Sequence, residues 1–117
     1  MTLFNDLKHA GEFNTDCPNI FTTQTGIPGQ SDVLQLQIQV ISNKINKVKF
    51  KAQGGITTLA TAEYLARLIT GMNFDQLSKI NSKNIVNALQ LPMQRINAAL
   101  LAITALKNII REIDYDR

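Results

Sequence analysis

The chain has 117 residues, 44% of them hydrophobic, one cysteine and a formal net charge of +3, which suits one domain with enough apolar residues for a real core. The single thiol, Cys17, excludes an intramolecular disulfide and any multi-cysteine metal site within one chain, so no oxidising compartment is required. The charge and a sequence pI near 9.2 permit an acidic partner but fall short of the dense basic character of a dedicated nucleic-acid binder.

Residues 1–15 include Asp6, Lys8, His9 and Glu12 and no continuous apolar run, so a secretory signal is not expected and a cytoplasmic location is predicted. Residues 2–7 read as a short helix or arm. Residues 19–25, with Ile20, Phe21 and a threonine-rich run, suit an edge strand. Leu34, Leu36, Ile38 and Val40 then alternate with Gln35, Gln37 and Gln39, the period-two pattern of a strand with one buried and one wet face. After a turn at Ser42, Asn43 and Lys44, Val48, Phe50 and Ala52 alternate with Lys47, Lys49 and Lys51. The pair reads as an antiparallel hairpin whose outer face carries glutamine on one strand and lysine on the other.

From Thr57 the period changes. Leu59, Ala62, Leu65, Ala66 and Ile69 fall at helical spacing, with Thr57 or Thr58 as N-cap and Gly71 as the stop. Asn73 and Gln76 resemble a capping box before a short helix through Ile80, and Ser82 caps another through Leu89. Pro92 suits the first turn of a long terminal helix. Its stripe of Ile96, Ala99, Leu100, Ile103, Leu106, Ile110 and Ile113 runs for about five turns. Ala98, Leu101, Ala102, Ala105 and Ile109 make that helix apolar around more of its circumference than one-sided packing needs. Two neighbouring helices would bury the surplus; a docked partner is the alternative. Residues 98–106, interrupted by Thr104 and closed by Lys107, are too short for the roughly twenty apolar residues of a membrane span. Strands first and helices afterwards predict a single α+β domain over residues 1–117, a small antiparallel three-stranded sheet with helices packed on one face and a long C-terminal helix.

Three segments then stand out: Gly26-Ile27-Pro28-Gly29-Gln30-Ser31-Asp32, Phe50-Lys51-Ala52-Gln53-Gly54-Gly55 and Leu91-Pro92-Met93-Gln94-Arg95-Ile96-Asn97-Ala98. With the element order, and with Gly11-Glu12-Phe13, Asp32-Val33-Leu34 and Gly71, they resemble the NifU N-terminal or IscU family of iron–sulfur cluster assembly scaffolds over nearly the whole chain, without a gap. The resemblance implies cluster ligands in those segments: a cysteine before the aspartate, a second after the glycine that follows the lysine-bearing strand, and a histidine and third cysteine early in the last helix. Here those positions read Gln30, Gly55, Asn97 and Ala98, and only Asp32 is kept.

Cluster iron is held by thiolates and occasionally imidazoles, because soft donors match it. Amides are poor substitutes, glycine and alanine offer no side-chain donor, and one carboxylate cannot hold a cluster. Accepting sulfur as a persulfide also needs a nucleophilic thiol at the site. Cys17 matches none of the ligand positions, and Cys17 with His9 falls short of a tetrahedral zinc set. Asp32 itself reads most simply as a turn residue bonding its own backbone. In the family a Leu-Pro-Pro-Val-Lys loop is gripped by a specialised chaperone. The matching Leu91, Pro92, Met93, Gln94 and Arg95 keep the leading Leu-Pro and the terminal positive charge without the second proline.

The expectation is a non-enzymatic pseudo-scaffold that carries no metal or cofactor and acts through protein–protein contacts, with a cysteine desulfurase or chaperone of the assembly system as its partner. The alternative is a scaffold fold recruited as adaptor or subunit of an unrelated complex. Neither membrane nor nucleic acid is an expected partner: no triad, phosphate loop or paired carboxylates are visible, and the lysine row reads as a solvated strand face that discourages edge aggregation.

Overall fold

The computed structural model describes residues 9–14, 16–26 and 32–116, so the expected arm at residues 2–7 and Gln30 lie outside the described residues. Three strands, β1 (Ile20–Thr25), β2 (Val33–Ile41) and β3 (Lys44–Gln53), form an antiparallel sheet in the order β1-β2-β3. Helices α1 (Ile56–Ile69), α2 (Phe74–Leu77), α3 (Ser82–Leu89) and α4 (Ile96–Asp116) follow, the last entered through a single 3-10 turn at Met93–Arg95. The expected α+β architecture, with helices on one face of the sheet and a long terminal helix, is present. Among the described residues no helix is long and apolar enough to cross a membrane.

Leu34, Leu36 and Ile38 of β2 and Val48 and Phe50 of β3 are buried on the helix-facing side of the sheet, as their alternation requires. Each such side chain contributes about 2 kcal/mol when fully buried. Gln35, Gln37 and Gln39 pair across the outer face with Lys51, Lys49 and Lys47. Ile45 is buried too, although an uninterrupted period of two from Val48 would send it to the wet face. A bulge resolves this: Gln39 faces Lys47 but Val40 faces Ile45, so Asn46 is an extra residue that resets the phase. The hairpin closes through Ser42 and Asn43 alone, both at positive φ (54° and 63°), the backbone of a two-residue turn matched to strand twist, and Lys44 already belongs to β3.

Helix starts differ from expectation. Gly55 precedes α1 with extended backbone, and Thr57 and Thr58 lie inside the first turn instead of capping it. Asn81 caps α3 in a reciprocal box with Asn84, so Ser82 is the first helical residue. The Asn73–Gln76 box is present, but α2 stops at Leu77. Pro92 is extended and accepts the Arg95 N–H, so Pro92 precedes the 3-10 turn and is not the first residue of α4.

Helix α4 packs against β1 and β2 on one side and α1 and α3 on the other. Ala98, Ala99, Ala102, Ala105 and Ile109 are buried there, and their small side chains let the helix lie close between two layers. That accounts for its surplus apolar surface, with sheet as well as helices covering it. Leu100, expected in the stripe, is 47% exposed because the buried face is centred on Ala102 and Ala105.

Candidate functional site

The three segments meet. Strand β2 begins at Val33, so Asp32 sits at its entrance; β3 ends beside Gly54 and Gly55, which open α1; and the 3-10 turn brings Gln94 and Arg95 to the start of α4, where Asn97 and Ala98 follow. Asp32, Gly55, Thr57, Thr58, Gln94, Arg95, Asn97 and Ala98 line one cavity of about 100 Å³. Three of the four positions at which a ligand would be expected thus share a site, with Gln30 outside the described residues.

The donors this cavity offers are hard or neutral. Asp32 is half-buried and its Oδ1 accepts a hydrogen bond from Thr58 Oγ1 at 3.1 Å, with Thr58 itself buried. Asp32 therefore bonds across the site to the first turn of α1, a partner that its reading as a turn residue bonding its own backbone did not include. Gly55 has extended backbone (φ −77°, ψ 179°), and a Cβ placed on it would meet nothing within 4 Å, so the room for a side chain exists. Asn97 is exposed and Ala98 buried. The guanidinium of Arg95 adds a positive charge to the lining.

The loop that follows α3 belongs to the same surface. Gln90, in the left-handed conformation, ends the helix, and Leu91 turns inward against the core. Pro92, Met93, Gln94 and Arg95 are exposed, Met93 at 83%, and Ile56, between the lining residues Gly55 and Thr57 in sequence, is 62% exposed. Of the expected partner-binding residues, Gln94 and Arg95 line the cavity itself, a link that separate motifs in sequence do not reveal. Thr58 is legible only in retrospect: three residues after Gly55, it faces the same end of α1.

Elsewhere, His9 and Cys17 do not lie in the cavity lining. His9 instead donates its backbone N–H to Glu63 Oε1 at 2.9 Å, and its Nδ1 lies 2.6 Å from Glu63 Oε2. The same carboxylate oxygen accepts from Arg67 Nε at 2.7 Å. Among the described residues no three of His, Cys, Asp and Glu are grouped so as to hold a metal ion.

A three-stranded antiparallel sheet backed on one side by helices, with a small cavity where the β2 entrance, the α1 start and the α4 start converge, is an architecture of the IscU and NifU N-terminal kind. The chain belongs to the NifU-like N terminal domain family, whose model matches residues 1–116. Iron sulfur cluster assembly protein 2, mitochondrial, of Saccharomyces cerevisiae is 32% identical over 116 residues, covering 97% of this chain and 74% of that protein. Iron-sulfur cluster assembly protein IscU of Plasmodium falciparum is 32% identical over 108 residues, covering 92% and 67%. The chain spans 64% and 53% of the length of two further relatives, from Kluyveromyces lactis and Candida glabrata. Among solved structures, a putative iron-sulfur cluster assembly scaffold protein for the SUF system from Fervidobacterium islandicum superposes with a TM-score of 0.68 at 16% identity, covering 94% of this chain and 95% of that one. The N-terminal part of a nitrogen-fixing NifU-like protein from Brucella abortus gives 0.66 at 13% identity, covering 98% and 91%. Those two likenesses concern the fold.

Proposed function

We propose that this member of the scaffold family carries no cluster and acts as a pseudo-scaffold, through contacts with proteins of the iron–sulfur assembly system. The observation that carries the reading is the lining of the cavity. Where a cluster would need several thiolates, Gly55, Asn97 and Ala98 supply none, Asp32 is engaged by Thr58, and Arg95 opposes a cation. Persulfide acceptance fails in the same place, for want of a thiol. What the site retains is its surface: the exposed Met93 and Ile56 next in sequence to the lining residues, and the charge of Arg95, are available to a cysteine desulfurase or chaperone. A chain that occupies such a partner without receiving sulfur or iron is a competitor or regulator of assembly, and needs no chemistry of its own.

Recruitment of the fold as an adaptor in an unrelated complex is the second reading, supported by the same exposed Ile56 and Met93 together with Leu100. The test begins with the protein expressed beside an iron–sulfur assembly system and purified anaerobically. Bound iron and sulfide are measured with the visible spectrum. No iron, no thiolate-to-iron absorption and co-purification with desulfurase are expected. A stoichiometric cluster overturns the pseudo-scaffold, and failure to bind desulfurase, J-type cochaperone and chaperone alike leaves the adaptor reading.

A further inference from the structure

The outer face of the sheet is not simply wet, because residues 9–14 form a strap that crosses the edge of β3 and runs onto it. Ala10 bridges Phe50 in parallel; Phe50 N–H donates to the His9 carbonyl at 2.9 Å and Gly11 N–H to the Phe50 carbonyl at 2.8 Å. Further on, Phe13 N–H donates to Gln37 Oε1 at 3.0 Å, the Phe13 ring lies 5.9 Å from Lys49 Nζ, and Glu12 pairs with Lys51. The three strands beneath carry four lysines and no acidic residue, so the carboxylate on this face comes from the strap.

We propose that this face is a docking surface for an extended segment of a partner protein that places an aromatic residue beside a carboxylate, and that the strap occupies it as an internal competitor. The strap shows what the surface selects. Lys51 takes the carboxylate, Lys49 sits against the ring as a cation over an aromatic, and Gln37 and Phe50 take up main-chain groups as a sheet edge does in strand addition. A nucleic acid would satisfy the lysines but lacks the regular alternation of backbone N–H and C=O groups that a peptide strand offers to Gln37 and Phe50.

The hold is local enough to open. Glu12 and Lys51 are about half exposed (48% and 57%), where an ion pair is weak, and the firmest tether is Glu63, at the strap's first described residue. An intramolecular segment competes at high effective concentration, so a partner's apparent affinity is reduced by the fraction of molecules with the strap lifted. The inference uses no metal chemistry and stands apart from the pseudo-scaffold reading, because neither the strap nor the lysines it meets line the cavity.

The test uses a fluorescein-labelled peptide with the sequence of residues 9–16 as probe and fluorescence anisotropy as readout. A Glu12→Ala/Phe13→Ala variant is expected to bind it at least tenfold more tightly than the unchanged protein, on the order of the tax removed. Adding Lys49→Glu and Lys51→Glu to that variant is expected to abolish the gain. Equal affinity for the unchanged protein and the first variant overturns the proposal, as does an eight-nucleotide single-stranded oligothymidylate that binds as well as the peptide. Should the variants not fold, native-state hydrogen exchange on the unchanged protein decides. The Gly11 and Phe13 amides are expected to exchange at least a hundredfold faster than those of β2, and equal protection means that the strap opens only with the whole fold.

Discussion

On β1, Thr25 sits opposite Leu34 on the inward face, and its Oγ1 is buried without a hydrogen-bond partner among the described residues. A desolvated hydroxyl with no partner is a net cost, and valine has the same shape. Thr25→Val is therefore expected to raise stability by about 1 kcal/mol, read as a shift in the denaturation midpoint at unchanged slope. Glu63 is the opposite case: its side chain is fully buried, yet His9 and Arg67 satisfy it from two directions. Removing it strands the His9 amide and takes from Arg67 a buried carboxylate acceptor, so Glu63→Ala should cost about 2–3 kcal/mol, measured in the same denaturation series. No reading of the residues single out Glu63, because an acid in an amphipathic helix counts as surface. The signal was nevertheless available: it lies four residues after Leu59 and three before Ala66, inside the predicted apolar stripe. Asp32 was visible as a retained motif residue, but its partner Thr58 lies 26 residues away, and only the fold supplies such pairs.

The elements were more legible than their ends. Alternation from Leu34 to Val40 and helical spacing from Leu59 to Ile69 both reflect burial of one face, which the finished structure needs whatever its details. Starts and stops depend on single hydrogen bonds, and there the expectation slipped. Serine and asparagine are both good caps, so Asn81 and Ser82 compete for one position. The backbone decides for Asn81, extended at φ −135° with its side chain accepting the Asn84 N–H at 3.2 Å. Asn81→Ala should accordingly cost about 1 kcal/mol, while Ser82→Ala should leave stability within a few tenths. Thermal unfolding of the two variants side by side separates the assignments, and the reverse order would restore Ser82 as the cap. The bulge at Asn46 was illegible for a related reason. One extra residue leaves the lysine row intact and merely turns Ile45 inward, an event that only the pairing partner on β2 records.

At the scale of the whole molecule, the pseudo-scaffold reading makes a claim about geometry: among the described residues the backbone brings Asp32, Gly55, Asn97 and Ala98 to one cavity, and the reading expects side chains, not the frame, to separate this chain from a metal site. The frame near Gly55 supports it, since a Cβ there meets nothing within 4 Å and the extended φ and ψ suit any residue. Ala98 is buried but lines the cavity, and Asn97 beside it is exposed to the same opening. A Gln30→Cys/Gly55→Cys/Asn97→His/Ala98→Cys variant presents three thiolates and an imidazole, a set that suits tetrahedral zinc. It is expected to bind one equivalent of zinc, measured by competition with a chromophoric chelator, and to gain thermal stability when zinc is added, because a ligand that binds only the folded state raises the midpoint. The unchanged protein is expected to show no shift of its unfolding midpoint with zinc or with chelator. Zinc binding by the variant at the expected stoichiometry would mean that the loss is confined to four side chains. A variant that folds but binds no zinc would mean that the frame around the cavity, or the charge of Arg95 in its lining, also disfavours metal, so that the scaffold frame had drifted along with its ligands.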